Sequence, residues 1–189
     1  MDFNKRLQKG KFLSLLAGLA IIPVLLLAGC GEGEKKCEKG NVLSGKACIT
    51  LSGEFDRMPE DMLSKKYLSN QRPTEAWYKK SEDGKVSLSF VQTTQAMKDT
   101  QLSVFAGAMK DQLSAFSPKV TEGKVNGKKV VFLEMTTPDN INPGSPNVFS
   151  IMQLSSMNDK LLITTFSMTE DVKDKYYQEG KATLDSLYW

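Results

Sequence analysis

Apolar and polar positions along the chain change period several times, and each change marks an element. Ala47, Ile49 and Leu51 alternate with Cys48, Thr50 and Ser52, the period of a strand. Phe55 to Ser69 is mixed, and Pro59 suits the first turn of a short helix. Ala76-Trp77-Tyr78 and Val86 to Phe90 flank Glu82-Asp83-Gly84, a hairpin signal. Between Met97 and Phe116 the period becomes helical. Leu102, Phe105, Ala106, Met109, Leu113 and Phe116 form one stripe, expected to bury against a sheet; Asp99 or Thr100 can cap it and Ser117-Pro118 ends it. Asn126-Gly127 then joins Val120–Val125 to Lys129–Thr136 by the turn that favours positive φ at both positions. Within the second arm Val130-Val131-Phe132-Leu133 is apolar on both faces, as in a strand covered on both sides.

Three of the seven prolines fall between Thr137 and Asn147, so that stretch is a loop. Val148–Met157 and Leu161–Met168 flank Asn158-Asp159-Lys160 as a third hairpin. Thr169-Glu170-Asp171 caps a last helix with Tyr177, Gly180, Leu184 and Leu187 on one side, Val172 and Tyr176 beside it. Successive hairpins interrupted by two amphipathic helices predict an α+β domain: an antiparallel sheet of about six or seven strands with helices packed on both faces.

The chain start is different in kind. Lys5, Arg6, Lys9 and Lys11 precede an apolar run from Phe12 to Leu27, and Leu27-Ala28-Gly29-Cys30 follows. A basic start, an apolar middle and small residues before a cut describe a secretory signal. The last four residues resemble the lipobox of bacterial lipoproteins. The resemblance implies a diacylglycerol on Cys30 and cleavage before it. An uncleaved membrane helix is the competing reading, since a run of about 17 residues can span. The expected organisation is a signal at 1–29, a lipidated tether at 30–46 and one domain at 47–189.

Composition then changes the functional picture. Of 25 basic and 22 acidic residues, the first 29 positions hold four basic and one acidic, so the remaining 160 balance at 21 against 21. A neutral domain offers no footprint for nucleic acid and no polybasic pull toward anionic lipid. The absence of histidine excludes a histidine triad, metal ligand or pH switch. No cofactor motif is present: Gly123–Gly127 lacks the Gly-Lys-Ser/Thr ending of a phosphate loop, and no Gly-x-Ser-x-Gly elbow exists.

With Cys30 lipidated, Cys37 and Cys48 remain as a pair, expected to be bridged in an oxidising compartment. Separate thiols or pairing with another chain are the alternatives. Glu54, Asp56, Glu60 and Asp61 lack the spacing of a calcium loop and suit a solvated segment. The many methionines suit core filling first, and an adaptable binding surface second. Trp77-Tyr78 is expected to place one ring inward and one outward. Trp189 either packs on the sheet edge or meets a partner. The Pro-rich loop, with Asn140, Ile141, Asn142 and Pro143, is a candidate rim of a protein-binding groove, because a stiff loop loses little entropy on docking.

The order of these features resembles the DcrB family of envelope lipoproteins, within the PsbP-like fold. The resemblance rests on the lipobox and short tether, the Trp77–Phe90 hairpin, Leu102–Phe116 leading through Asn126-Gly127 into Val130-Val131-Phe132-Leu133-Glu134, and Met152–Phe166 before a helix ending Leu184-Asp185-Ser186-Leu187. It covers roughly Cys48 to Leu187. It implies a non-enzymatic adaptor or chaperone-like module, anchored to a membrane by its N-terminal lipid, facing the periplasm and binding another envelope protein. The Cys37/Cys48 pair is not a general feature of that family. A small-ligand or metal-binding lipoprotein is the alternative. Gly31 is not the aspartate that holds many enteric lipoproteins at the inner membrane, which favours the outer membrane, whereas family relatives point to the inner one.

Overall fold

The computed structural model describes Cys37 and residues 40–189. The expected signal at 1–29 and the expected lipidation of Cys30 lie outside the described residues. Seven strands form one antiparallel sheet in the order β3-β4-β5-β9-β8-β7-β6, where β3 is Phe55–Arg57, β4 Glu75–Lys79, β5 Val86–Ala96, β6 Lys119–Val125, β7 Lys128–Thr137, β8 Val148–Met157 and β9 Lys160–Thr169. A separate two-stranded hairpin, β1 (Asn41–Val42) and β2 (Ala47–Cys48), precedes it. Three helices complete the domain: α1 (Glu60–Lys66), α2 (Leu102–Gln112) and α3 (Lys173–Asp185).

The expected turn chemistry is present. Asn126 and Gly127 have φ of 47° and 79°, and Asn158 and Asp159 have 53° and 56°, so both hairpins use paired left-handed residues. Lys160 belongs to β9 rather than to the turn. The last strand in sequence lies in the middle of the sheet, paired with β5 on one side and β8 on the other. Its side chains alternate between the two faces of the sheet, and each face carries its own core.

On one face Leu88, Phe90, Phe166, Ile151, Val130 and Phe132 pack beneath α3. On the other, Val131, Leu133, Met135, Leu154 and Leu161 pack beneath α2. The helices thus cover opposite faces, and Val130 to Leu133 serves both. Tyr176, Gly180, Thr183 and Leu184 make the buried side of α3.

Four expectations are corrected. Residues 41–46 are not tether: Val42 and Leu43 are buried in the core beneath the α3 side, because the hairpin folds back and the Leu43 N–H donates to Glu75 Oε2 at 2.9 Å. Strand pairing at Cys48 stops after two residues, and Ile49 is buried without belonging to the large sheet. The helical stripe is only half right. Leu102 and Ala106 are buried, Phe105, Met109 and Leu113 are half-buried, and Phe116 is 37% exposed, because α2 ends at Gln112 and a 3-10 turn swings Phe116 outward. Neither proposed cap forms with its side chain: 3-10 turns at Asp99–Gln101 and Glu170–Val172 lead into α2 and α3 instead.

Candidate functional site: a half-open strip of sheet

The two faces of the sheet are not equally covered. Along β9 the α3-side residues Leu162, Thr164, Phe166 and Met168 are buried, whereas Ile163, Thr165 and Ser167 on the other face are only half-buried. The same alternation holds in β8, with Ser150 and Met152 half-buried, and in β5, with Ser89 and Val91. These residues adjoin across the ladders: Val91 pairs with Ile163, Ser89 with Thr165, Met152 with Thr165 and Ser150 with Ser167. The centre of the sheet thus carries an accessible strip. Two inter-strand spacings separate β5 from β8, so the strip is about 10 Å wide, enough for one extended chain.

The strip exists because the helices sit apart. α2 packs on β6, β7 and β8, with Phe105 and Met109 half-buried against the core there. On the β5 side the end of α1 supplies Tyr67, which lies against Ser89 and Ser87; burial pushes its phenol up, and those hydroxyls partly counter this. Between these walls the floor combines Ser89, Ser150, Thr165 and Ser167 with Val91, Met152 and Ile163. Ser150 and Ser167 already share a hydrogen bond of 3.0 Å. Hydroxyls can both donate and accept, so such a floor can meet a polypeptide backbone while its apolar members meet side chains.

Lys66 closes one end of the strip. Its ammonium donates to Gly84 O at 2.7 Å, and burial lowers its pKa, countered by the Asp139 carboxylate. Asp139 begins the Pro-rich loop and organises it. Its Oδ1 accepts from the N–H groups of Ile141 and Asn142, each at 3.0 Å, and its Oδ2 accepts from the Asn142 amide at 3.0 Å. Burial pushes the Asp139 carboxyl up, but these bonds and Lys66 outweigh it, so it titrates below the usual aspartate range. Asn140, Ile141, Asn142 and Pro143 are all exposed, and Ile141 presents 42% of its surface.

Trp189 lies elsewhere. It lines a cleft of about 550 Å³ with Lys98, Lys128, Ser156 and Asn158, at the end of the sheet opposite the Pro-rich loop. The structure therefore does not join Trp189 and Asn140–Pro143 into one surface. Cys37 and Cys48 form a disulfide with Cα atoms 5.5 Å apart. Cys48 in turn pairs with Tyr188 through backbone hydrogen bonds of 2.8 and 3.0 Å.

The other candidates divide similarly. Glu54, Asp56 and Glu60 are engaged by Lys79, Lys80 and Arg72. Among the described residues no group of three carboxylates or cysteines could hold a metal ion. Trp77 and Tyr78 take opposite faces, both half-buried, and the Trp77 indole donates to Glu75 Oε1 at 2.8 Å. Met97, Met135, Met157 and Met168 are core residues; of the sheet methionines only Met152 reaches the strip. Sequence reasoning missed the strip itself. Its signal was the run of Ser and Thr alternating with apolar residues in three strands, which marks one face as less than fully buried.

The chain matches no family model and no curated protein sequence. Its fold, however, is that of a solved structure, cyanobacterial PsbP (CyanoP) from Synechocystis: TM-score 0.51, 11% identity, covering 86% of this chain and 98% of that one. The domain has the PsbP-like fold. LpqN of Mycobacterium tuberculosis, a protein involved in cell envelope biogenesis, is similar at TM-score 0.41 and 9% identity over 75% of this chain and 81% of its own. PA94 of Pseudomonas aeruginosa is similar at TM-score 0.39 and 13% identity over 76% and 96%.

Proposed function

We propose that the chain is a DcrB-like lipoprotein of a bacterial cell envelope, a non-enzymatic adaptor or chaperone-like module that holds an extended segment of another envelope protein. The observation that carries this reading is the half-open strip on β5, β9 and β8. A central strand of a seven-stranded sheet is ordinarily covered on both faces, and here one face is left accessible between α2 and Tyr67. The floor mixes hydroxyls with Val91, Met152 and Ile163, as an extended peptide with alternating side chains requires. The loop from Asn140 to Pro146 serves as the rim beyond Lys66, with Ile141 and Pro143 directed to the partner. The Leu-Ala-Gly-Cys sequence supports a lipid on Cys30, and the segment that follows supports a tether that keeps the domain on the periplasmic side, on the outer rather than the inner membrane. No helix among the described residues is long and apolar enough to cross a membrane.

A photo-crosslinking residue placed at Thr165 in cells tests the reading. The same partner peptide is expected from Thr165 and from Ser89, and not from Asp174 on the opposite face. Thr165→Trp, which fills the strip, is expected to abolish capture while leaving the melting temperature near that of the wild type. Equal capture from Asp174, or capture undiminished by Thr165→Trp, would overturn it.

A further inference from the structure

We infer that the end of the sheet carrying Trp189, Lys98 and Lys128 is the face that rests on the bilayer, with the Trp189 ring at headgroup level. This rests on the reading of Cys30 as lipidated and adds the orientation. Cys30 lies seven residues before Cys37, and an extended chain spans at most ~3.3–3.6 Å per residue, so the lipid-bearing residue stays within about 25 Å of Cys37. The disulfide holds Cys37 at Cys48, and Cys48 is paired with Tyr188, the neighbour of Trp189. The Asn126 amide donates to Leu187 O at 2.9 Å, which fixes the chain terminus beside the 126–127 turn. That turn, the end of β5 at Ala96, the Asn158-Asp159 turn and the start of β9 at Lys160 all belong to one end of the sheet.

The opposite end carries the Pro-rich loop. β8 and β9 are ten residues long, so that loop stands roughly 33 Å farther from the tether. The lipid anchor cannot reach past the domain to place that end on the membrane, and the near end has suitable chemistry. Tryptophan prefers the interface, where its ring is apolar and its N–H meets water. Lysine stems lie along apolar surface while their ammonium groups reach headgroup phosphates. Asp99 and Asp159 sit in the same cleft as Lys98 and Lys128, so the attraction is not chiefly a matter of net charge. Contact is therefore expected on zwitterionic lipid. The orientation also has a consequence for the strip: its Lys66 end and the Asn140–Pro146 rim are held away from the bilayer, where a partner can approach.

The test uses the mature lipidated protein on phosphatidylcholine vesicles containing a headgroup-spin-labelled lipid, comparing wild type with Trp189→Phe and Ile141→Trp. Flotation is measured first. The wild type is expected to float, and the same chain made without residues 1–30 to remain behind. Quenching in the floated wild type is expected to come from Trp189 alone, and to vanish in Trp189→Phe, because Trp77 pairs with Leu88 toward the far end of β5. The tryptophan added in Ile141→Trp should remain unquenched. Failure of the lipidated protein to float would overturn the anchoring and the orientation together. Flotation with the same quenching in wild type and Trp189→Phe, or with quenching of the tryptophan at 141, would overturn the orientation alone.

Discussion

Two helical glycines, replaced by alanine, should change stability in opposite directions. In an exposed helix interior alanine is worth ~0.8–1.0 kcal/mol over glycine. Gly107 in α2 is exposed, and a Cβ built there meets nothing within 4 Å, so Gly107→Ala should gain about that amount. Gly180 in α3 is buried over Phe166. A Cβ there would stand 2.7 Å from Cδ1 and 3.1 Å from Cε1 and Cγ of that ring. Carbon atoms rest about 3.5–4.0 Å apart, so the ring would have to retreat by about 1 Å. It has little room: Phe166 is fully buried in the central strand, and its ring meets Phe55 edge-on at 6.0 Å between centroids. Overpacking of this kind costs about 1–3 kcal/mol against the helical gain of ~0.8–1.0 kcal/mol, a net loss of roughly 0–2 kcal/mol, and a ring with this little room to retreat puts Gly180→Ala toward the upper end. Urea unfolding of both variants reads the difference directly, provided the slope of the transition is unchanged. Phe166→Leu should offset part of the loss in the double variant, a coupling expected for neighbours. A Gly180→Ala variant as stable as wild type would refute the reasoning, since it would mean that α3 can rise off the sheet at no cost.

Leu102→Ala should cost ~2–5 kcal/mol as a fully buried leucine, and Phe116→Ala under ~1 kcal/mol because its ring is partly in solvent; equal losses in denaturant unfolding would contradict the packing of α2. Non-reducing peptide mapping should recover Cys37 joined to Cys48, and Cys37→Ser should lower stability by ~2–4 kcal/mol; unbridged thiols at both positions in protein from the envelope would refute the pairing. Asp139 has a folded pKa below its ordinary value, so its contribution is full above the ordinary aspartate range and is lost as pH falls through the folded value. Amide exchange at Ile141 and Asn142 should accelerate over that acidic window in the wild type but be pH-independent, beyond the intrinsic rate, in Asp139→Asn.

Much of the fold was legible along the chain. The hairpins are local events: Asn126-Gly127 and Asn158-Asp159 bring their own strands together through residues that tolerate positive φ. The apolar pattern Val130 to Leu133 announced a strand covered on both sides, because each face of a strand reports its own burial. The resemblance of Leu27-Ala28-Gly29-Cys30 to a lipobox is likewise a reading of consecutive residues. Tertiary structure decided what depends on distance across the fold. Burial of Val42 and Leu43 needs Glu75, more than thirty residues away in sequence, to accept the Leu43 N–H. Phe116 shared a helical spacing with Leu102, yet where α2 ends relative to the sheet set which of them is covered. The strip has the same origin. Ser89, Ser150 and Thr165 lie on three strands, and only the long-range pairing of β5 with β9 places them side by side. Whether that floor is covered then depends on how far apart the helix packing leaves α2 and Tyr67, a spacing that no local pattern encodes.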